Sequence, residues 1–282
     1  MVKPVGFVGL GQMGAPMARR LLGWPGGLVV HDVRPDALVP FIEAGARVAG
    51  SPREVAESAE VISLMVRDDA QVEEVLSGPA GLLETATPGT VVAIHSTIAA
   101  GTATRLAEAH GPLGIEIVDA PVSGGAPGAA KGDLAVMVGA TDSAFERCRD
   151  VFALWAGHTM HAGLPGAGTR AKLARNLLHF VSFAAAAEAQ RLAEAAGLDL
   201  LELGKVVRHT DAITGGPGAI MRRPTTAPVA ADDGWYPILS HVRDLGHKDL
   251  TLAIALGEEL EVDTPLARLA LERLAAGLGV VP

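Results

Sequence analysis

The sequence predicts an α/β domain followed by an all-α domain, the two joined by one long helix. Three observations carry this. The glycine motif Gly9-Leu10-Gly11-Gln12-Met13-Gly14 follows a first short apolar strand and opens a helix. Apolar strands then alternate with helical segments up to about residue 162, and no strand pattern appears beyond it. Between the two regimes, residues 165–197 enter on Pro-Gly-Ala-Gly and contain neither glycine nor proline again until Gly197. Ala, Leu, Arg and Glu, all strong helix formers, dominate that stretch. As a single helix of roughly 27 residues it would be about 40 Å long. The expected domains are 1–163, which binds a dinucleotide, and 164–282, which is helical.

Each element of the first half has a local reason. Val5-Gly6-Phe7-Val8 reads as a buried parallel strand, and residues 15–22 have helical character. In the turn between them, Gly9 allows the tight bend, Gly11 lets a pyrophosphate reach the backbone, and Gly14 lets helix and strand pack closely. This is the fingerprint of a Rossmann-type domain. Residues 28–31 form a second strand, ended by Asp32 eighteen residues after Gly14. An acid there binds adenosine ribose hydroxyls and repels a 2′-phosphate, which favours NAD, while Arg34 leaves NADP open. Ser51-Pro52-Arg53-Glu54 has capping-box spacing ahead of a helix. Residues 61–65 and 90–94 are two further buried strands. Their outgoing loops, Met65-Val66-Arg67 and Ser96-Thr97, are expected at the carboxyl edge of the sheet, beside the nicotinamide half of the site. His95 reads as a structural histidine.

Residues 115–119 form another strand, which empties into the glycine-rich stretch Ser123-Gly124-Gly125 through Lys131-Gly132, read as a loop before a strand at 134–138. Backbone N–H groups and one hydroxyl there suit a carboxylate; the alternative is a loop that needs glycine only for its turns. A helix over 141–154 and a last strand over 157–162 complete the domain.

The long helix places Lys172 and Asn176 four residues apart, on one face. The chain has only five lysines (3, 131, 172, 205 and 248) against eighteen arginines, and only lysine can give up its proton. The helix is apolar nearly all round over 177–187, which predicts a buried helix. Helices over 199–210, 241–256 and 264–278 follow, with a Gly215-Gly216-Pro217-Gly218 break and Pro265 in a first turn.

Composition narrows the function. With 282 residues, 49% hydrophobic and 20% charged, the chain has the make-up of a folded globule of two domains. A net charge of −9 without basic runs argues against a nucleic-acid surface. The lone Cys148 rules out a disulfide framework, and no His/Cys/Asp/Glu cluster has metal-ligand spacing, so no metal is expected. No apolar run is long enough to span a membrane, and Lys3 before an apolar segment reads as the approach to a strand rather than a signal peptide. A cytoplasmic location is expected.

Four stretches, GFVGLGQMGAPMARRL, DAPVSGGAPGAAKGDLAVMVGA, GAGTRAKLARN and HKDLTLAI, together resemble the β-hydroxyacid dehydrogenases of the 3-hydroxyisobutyrate dehydrogenase and tartronate semialdehyde reductase type. They fall in that family's order and span nearly the whole chain. The resemblance implies a Rossmann-type domain and an all-helical domain joined by a long helix. It also implies a catalytic Lys172 assisted by Asn176, substrate carboxylate binding at Ser123, Gly124 and Gly125, and a cofactor or carboxylate role for Lys248. The cofactor set becomes Gly9, Leu10, Gly11, Gln12, Met13, Gly14, Asp32, Arg34, Met65, Val66, Arg67, Ser96, Thr97 and Lys248. Two departures stand out: Arg175 replaces the first of two adjacent asparagines, and His95 precedes the Ser96-Thr97 loop. Residues 221–237 match no motif of the family.

The function expected is hydride transfer between NAD, or NADP, and a small 3-hydroxy acid, with Lys172 as general acid/base. Two alternatives stay open: a semialdehyde or carbonyl reductase of the same family, and a catalytically silent dinucleotide-binding module. The expected partners are a small carboxylate and further copies of the chain, as a homodimer or homotetramer.

Overall fold

The computed structural model describes residues 2–99 and 101–280. The chain divides into two compact units, Met1–Arg175 and Asn176–Pro282.

In the first unit, strands β1 (Val5–Val8), β2 (Leu28–His31), β3 (Arg47–Val48), β4 (Val61–Leu64), β5 (Val91–Ile94) and β6 (Glu116–Asp119) lie parallel in the order β3-β2-β1-β4-β5-β6. The chain runs outward from β1 to β3, then crosses back to β4. The order therefore reverses between β1 and β4, and a ligand crevice forms outside the carboxyl ends of the strands at such a switch point. Beyond β6, strands β7 (Val122–Ser123) and β8 (Leu134–Gly139) pair antiparallel, β8 also meets β6 antiparallel, and β9 (Ala156–Gly163) runs parallel to β8. The two-residue β3 is too short to register as a periodic strand in sequence.

Helices cover both faces, so the central strands are apolar on both sides. Val5 and Phe7 of β1 and Val91 and Ala93 of β5 pack on one face, with helices α1 (Gly14–Arg19), α6 (Gly125–Lys131) and α7 (Asp142–Phe152). Val8, Val92 and Ile94 point to the other, against α3 (Pro52–Ala56), α4 (Asp69–Ser77) and α5 (Thr102–His110). Each large apolar side chain taken out of water here contributes about 1.5–3 kcal/mol. Helix ends follow local chemistry. Ser51 accepts from the Glu54 amide and Glu54 reaches back to the Gly50 amide, while Asp68 and Thr141 cap α4 and α7. Between β2 and β3 runs helix α2 (Pro35–Glu43).

Two segments differ from the sequence reading. The stretch after Ser123 is not an open loop, because residues Gly125–Lys131 form α6. Gly124 (φ 129°) and Gly132 (φ 77°) bracket it in left-handed backbone that other residues adopt only with strain. Helix α8 is Ala167–Ala195, 29 residues, as its composition demands. Yet its apolar run is not buried within the chain: Leu177, Phe180, Val181 and Phe183 are exposed. A helix apolar all round has no polar face to signal which side another element must cover, so its pattern alone does not fix its burial.

The division between the two units falls inside α8, beyond the motif boundary at 163/164, because the first turns of the helix are tied to the first unit. In the second unit, α9 (Leu200–Thr214) is capped by Asp199, and α10 (Trp235–Glu259) packs on α11 (Pro265–Leu278) around Val229, Leu239, Leu278 and Val280. Glu188 of α8 is buried and accepts from the Leu266 and Ala267 amides at 3.0 and 2.9 Å, capping α11 from a neighbouring element. Among the described residues, no helix is long and apolar enough to cross a membrane.

Candidate active site

The carboxyl edge of the sheet gathers most of the residues singled out by sequence. Gly9 follows β1 at φ 93°, and a Cβ there would stand 2.2 Å from the Met65 carbonyl oxygen, so the turn can pass β4 only as glycine. A Cβ on Gly14 would meet the Gly9 carbonyl oxygen at 1.9 Å, which brings α1 tight against the turn. Gly11 differs: a Cβ on it would meet nothing within 4 Å. The protein itself does not require that glycine, but a ligand approaching the backbone does. Gln12 is exposed, Met13 half-buried and Leu10 buried. No side chain caps α1; the Ala15 amide donates to the Gly11 carbonyl at 3.0 Å, and Pro16 has no N–H to offer. The six-residue α1 is shorter than the sequence suggests, and it is the open backbone at Gly11 that makes this loop fit a dinucleotide pyrophosphate.

Asp32 leaves β2 with its carboxylate largely buried, although Arg34 beside it is exposed. Asp32 Oδ2 accepts from the Leu10 amide at 2.6 Å, and Oδ1 accepts from the Arg34 amide at 2.8 Å and from its Nε at 3.4 Å. The acid thus ties the glycine loop to the end of β2 and holds the guanidinium at its side. Met65 and Val66 follow β4. The Ser96 hydroxyl accepts from the Val66 amide at 3.0 Å and donates to the Val66 carbonyl at 2.7 Å. Ser96 is buried and clamps the Met65-Val66-Arg67 loop, whereas Thr97 and Arg67 are exposed.

His95 is spent on structure. Its Nδ1 lies 2.8 Å from the Ala120 carbonyl and its Nε2 3.1 Å from the Ser63 hydroxyl, among Phe7, Phe152 and Trp155. Burial pushes its pKa down to about 4, so the ring is neutral at physiological pH.

Lys172 lies in the second turn of α8 and is 8% exposed. Its Nζ donates to the Val122 carbonyl at 2.6 Å, and Ser123, Gly124 and Gly125 follow immediately. The amine therefore stands beside the β7–α6 junction, whose Ser123, Gly124 and Gly125 are the residues expected to hold a carboxylate. Burial, and secondarily the Arg175 guanidinium, push its pKa below the usual lysine value. Ser123 is half-buried, and Gly124 and Gly125 are exposed with positive φ. Asn176 lies one helical turn beyond Lys172 on α8, as the first residue of the second unit. Lys248 lies in the second unit on α10, exposed, 3.1 Å from Asp249. Among the described residues, no group of three His, Cys, Asp or Glu could hold a metal ion.

Sequence reasoning missed Asp119. It is fully buried at the end of β6, where Oδ1 accepts from the Gly166 amide and Oδ2 from the Thr169 amide, both at 2.6 Å. The available clue was an acid closing an apolar strand. Its partners, fifty residues away, are not readable from spacing.

A parallel sheet with a reversal at β1/β4, a glycine turn open at Gly11 and an acid ending β2 define a dinucleotide-binding domain. Residues 4–163 match the family model for the NAD binding domain of 6-phosphogluconate dehydrogenase. Residues 166–279 match the model for the NAD-binding domain of NADP-dependent 3-hydroxyisobutyrate dehydrogenase. The chain belongs to the β-hydroxyacid dehydrogenase family of NAD(P)-binding oxidoreductases. It is 64% identical over 276 residues to an uncharacterised oxidoreductase of Mycobacterium tuberculosis, covering 98% of this chain and 93% of the relative. It is 37% identical to the 3-hydroxyisobutyrate dehydrogenase of Pseudomonas aeruginosa, covering 94% and 89%. A crystal structure of an oxidoreductase from Mycobacterium avium superposes with a TM-score of 0.95 at 57% identity, covering 99% of both chains.

Proposed function

We propose that this protein oxidises a small 3-hydroxy acid, of the 3-hydroxyisobutyrate kind, with NAD as the preferred acceptor and Lys172 as general base. The observation that carries the reading is the buried Lys172 amine, held on the Val122 carbonyl one residue before Ser123. An amine kept out of water beside Ser123 and the uncapped start of α6 is suited to exchange a proton with a bound hydroxyl. The relation to 3-hydroxyisobutyrate dehydrogenase supports the substrate class.

The bound dinucleotide supplies the hydride acceptor, held by the Gly9–Gly14 turn, Asp32 and the Met65-Val66-Arg67 loop. Ser123 and the Gly124 and Gly125 amides hold the substrate carboxylate. As the carbon–hydrogen bond breaks and its electron pair leaves with the hydride, the hydroxyl proton passes to the Lys172 lone pair and the carbon becomes a carbonyl. One Lys172 N–H stays on Val122, which aims the lone pair away from that carbonyl. Asn176, on the same helical face, orients the hydroxyl. In the reverse direction the ammonium returns the proton. Asp32 favours NAD, since its carboxylate suits ribose hydroxyls and repels a 2′-phosphate.

Residues 1–163 are assigned to dinucleotide binding, and 164–282 to substrate binding and assembly. Leu177, Phe180, Val181 and Phe183 on α8 and Leu201, Val206, Val207 and Ile213 on α9 are apolar and exposed in the single chain. Faces of this kind support a homodimer or homotetramer.

The test is nicotinamide absorbance in a grid of NAD and NADP against 3-hydroxyisobutyrate, 3-hydroxypropionate, glycerate, serine and threonate, with the matching semialdehydes in reverse. Lys172→Ala is the control. One strong cell that falls about 10²- to 10⁴-fold in Lys172→Ala is expected. A variant that still binds NAD and turns over normally removes the lysine from the chemistry. A grid blank in both directions supports a silent binding module.

A further inference from the structure

We infer that Asp119 is the positioning residue for Lys172, fixing where the amine stands by gripping the start of the helix that carries it. The inference rests on Lys172 being the acid–base group.

Helix α8 begins without a cap of its own. Its entry is Pro165-Gly166, and neither Gly166 nor the following Ala167 and Gly168 has a polar side chain. A capping box normally satisfies the amide just before the helix and the amide of the third helical residue. Here those two amides, Gly166 and Thr169, both donate to the Asp119 carboxylate, one to each oxygen, at 2.6 Å. The cap is thus supplied from the end of β6. Charge-assisted bonds of this length are about twice as strong as neutral ones, and the helix N-terminus adds its own attraction for the anion.

The same short segment makes the second link. Asp119 grips Thr169, and three residues later Val122 accepts from Lys172, itself three residues after Thr169. Two rungs therefore tie residues 119–122 to the first two turns of α8, and Ser123 follows directly. The upper rung is a close backbone approach that only glycine permits. A Cβ on Gly168 would stand 2.4 Å from the Met137 carbonyl oxygen and 2.5 Å from that of Asp119, and one on Gly139 would stand 2.2 Å from Asp119 Oδ1. The helix entry therefore sits in backbone contact with β6 and β8, and both glycines are required for that approach. Burial pushes the Asp119 pKa up while the Gly166 and Thr169 amides pull it down. An ionised carboxylate in such a place is costly to maintain, and its two donors both belong to the lysine's helix.

The experiment is a double-mutant cycle on the full chain, with kcat, substrate KM, NAD affinity and melting temperature for Asp119→Asn, Lys172→Ala and the pair. Asparagine keeps the shape but offers one acceptor where two amides donate. Asp119→Asn is expected to lose about tenfold or more in kcat with NAD affinity unchanged, since displacements of about 1 Å cost up to 10²-fold. In the Lys172→Ala background that loss is expected to shrink below about twofold, because the residue acts through the lysine. A loss of the same factor in both backgrounds, or an unchanged kcat, overturns the inference. Asp119→Ser provides the second variant should Asp119→Asn fail to fold. It is smaller than aspartate, so no neighbour has to move to admit it, and its single hydroxyl oxygen replaces the two acceptors that hold the Gly166 and Thr169 amides. It is expected to lower kcat with NAD affinity retained, and normal turnover in it overturns the inference. Normal turnover in Lys172→Ala, by contrast, brings down the proposed function itself.

Discussion

Acidification is expected to weaken the first unit through one ring, His95. Its Nδ1 lies 2.8 Å from a main-chain carbonyl, which can only accept, so Nδ1 carries the proton. Nε2, 3.1 Å from the Ser63 hydroxyl, then accepts. A second proton would create a cation between Phe7, Phe152 and Trp155, whose ring centroids lie 6.5, 5.3 and 5.6 Å away. Burial outweighs the Ala120 hydrogen bond and lowers the pKa from 6.5 to about 4. The unfolded chain takes up this proton near pH 6.5 and the folded chain only near pH 4. Between those values the unfolded state binds more protons, so stability falls as pH falls. At 1.36 kcal/mol per unit, the window is worth about 3 kcal/mol, complete by about pH 4. The assay is urea unfolding followed by tryptophan fluorescence between about pH 7.5 and 4.5, comparing the natural chain with His95→Asn. Asparagine keeps a donor toward Ala120 and does not titrate. The natural chain is expected to lose most of those 3 kcal/mol over the variant across this range. Parallel pH dependences would refute the account. A His95→Asn protein with normal stability but a reshaped pH–rate profile would restore the ring as an acid–base group.

Four further outcomes are expected. Oxidation needs the neutral Lys172 amine, and burial with Arg175 lowers its pKa; kcat/KM for oxidation therefore rises with pH to a midpoint below about 10.4, and a midpoint at or above that value contradicts the placement. Gly11→Ala leaves melting unchanged but weakens NAD binding measured by fluorescence quenching, whereas Gly14→Ala, with its Cβ 1.9 Å from the Gly9 carbonyl, loses both stability and binding. Asp32→Ala lowers the NAD over NADP preference in steady-state kinetics and, by orphaning the Leu10 amide, costs about 1–3 kcal/mol in urea unfolding. Glu188→Ala removes both acceptors at the start of α11 and costs about 1–3 kcal/mol, read from the unfolding of the helical unit by circular dichroism.

Much of this molecule is written in short-range pattern. The glycine turn, Asp32 at its distance, the alternation of apolar strands with capped helices, and the unbroken helix from 167 to 195 all follow from backbone freedom and helix propensity. These act over a few residues, so spacing alone exposes them. Lys172 stood out on the same basis, as a lysine in an arginine-rich chain on a helix entered through glycine. The tertiary structure decided what each polar group is bonded to. It assigned Ser96 to clamping Val66, His95 to the core, and the stretch after Ser123 to a short helix rather than an open loop. It left the apolar run of α8 exposed, because burial depends on which surface arrives from elsewhere in the chain. It set the Lys172 amine on Val122 and both Asp119 oxygens on the helix start. Those bonds join residues about fifty positions apart, and only the folded sheet brings a strand's end and a helix's first turn within hydrogen-bonding reach.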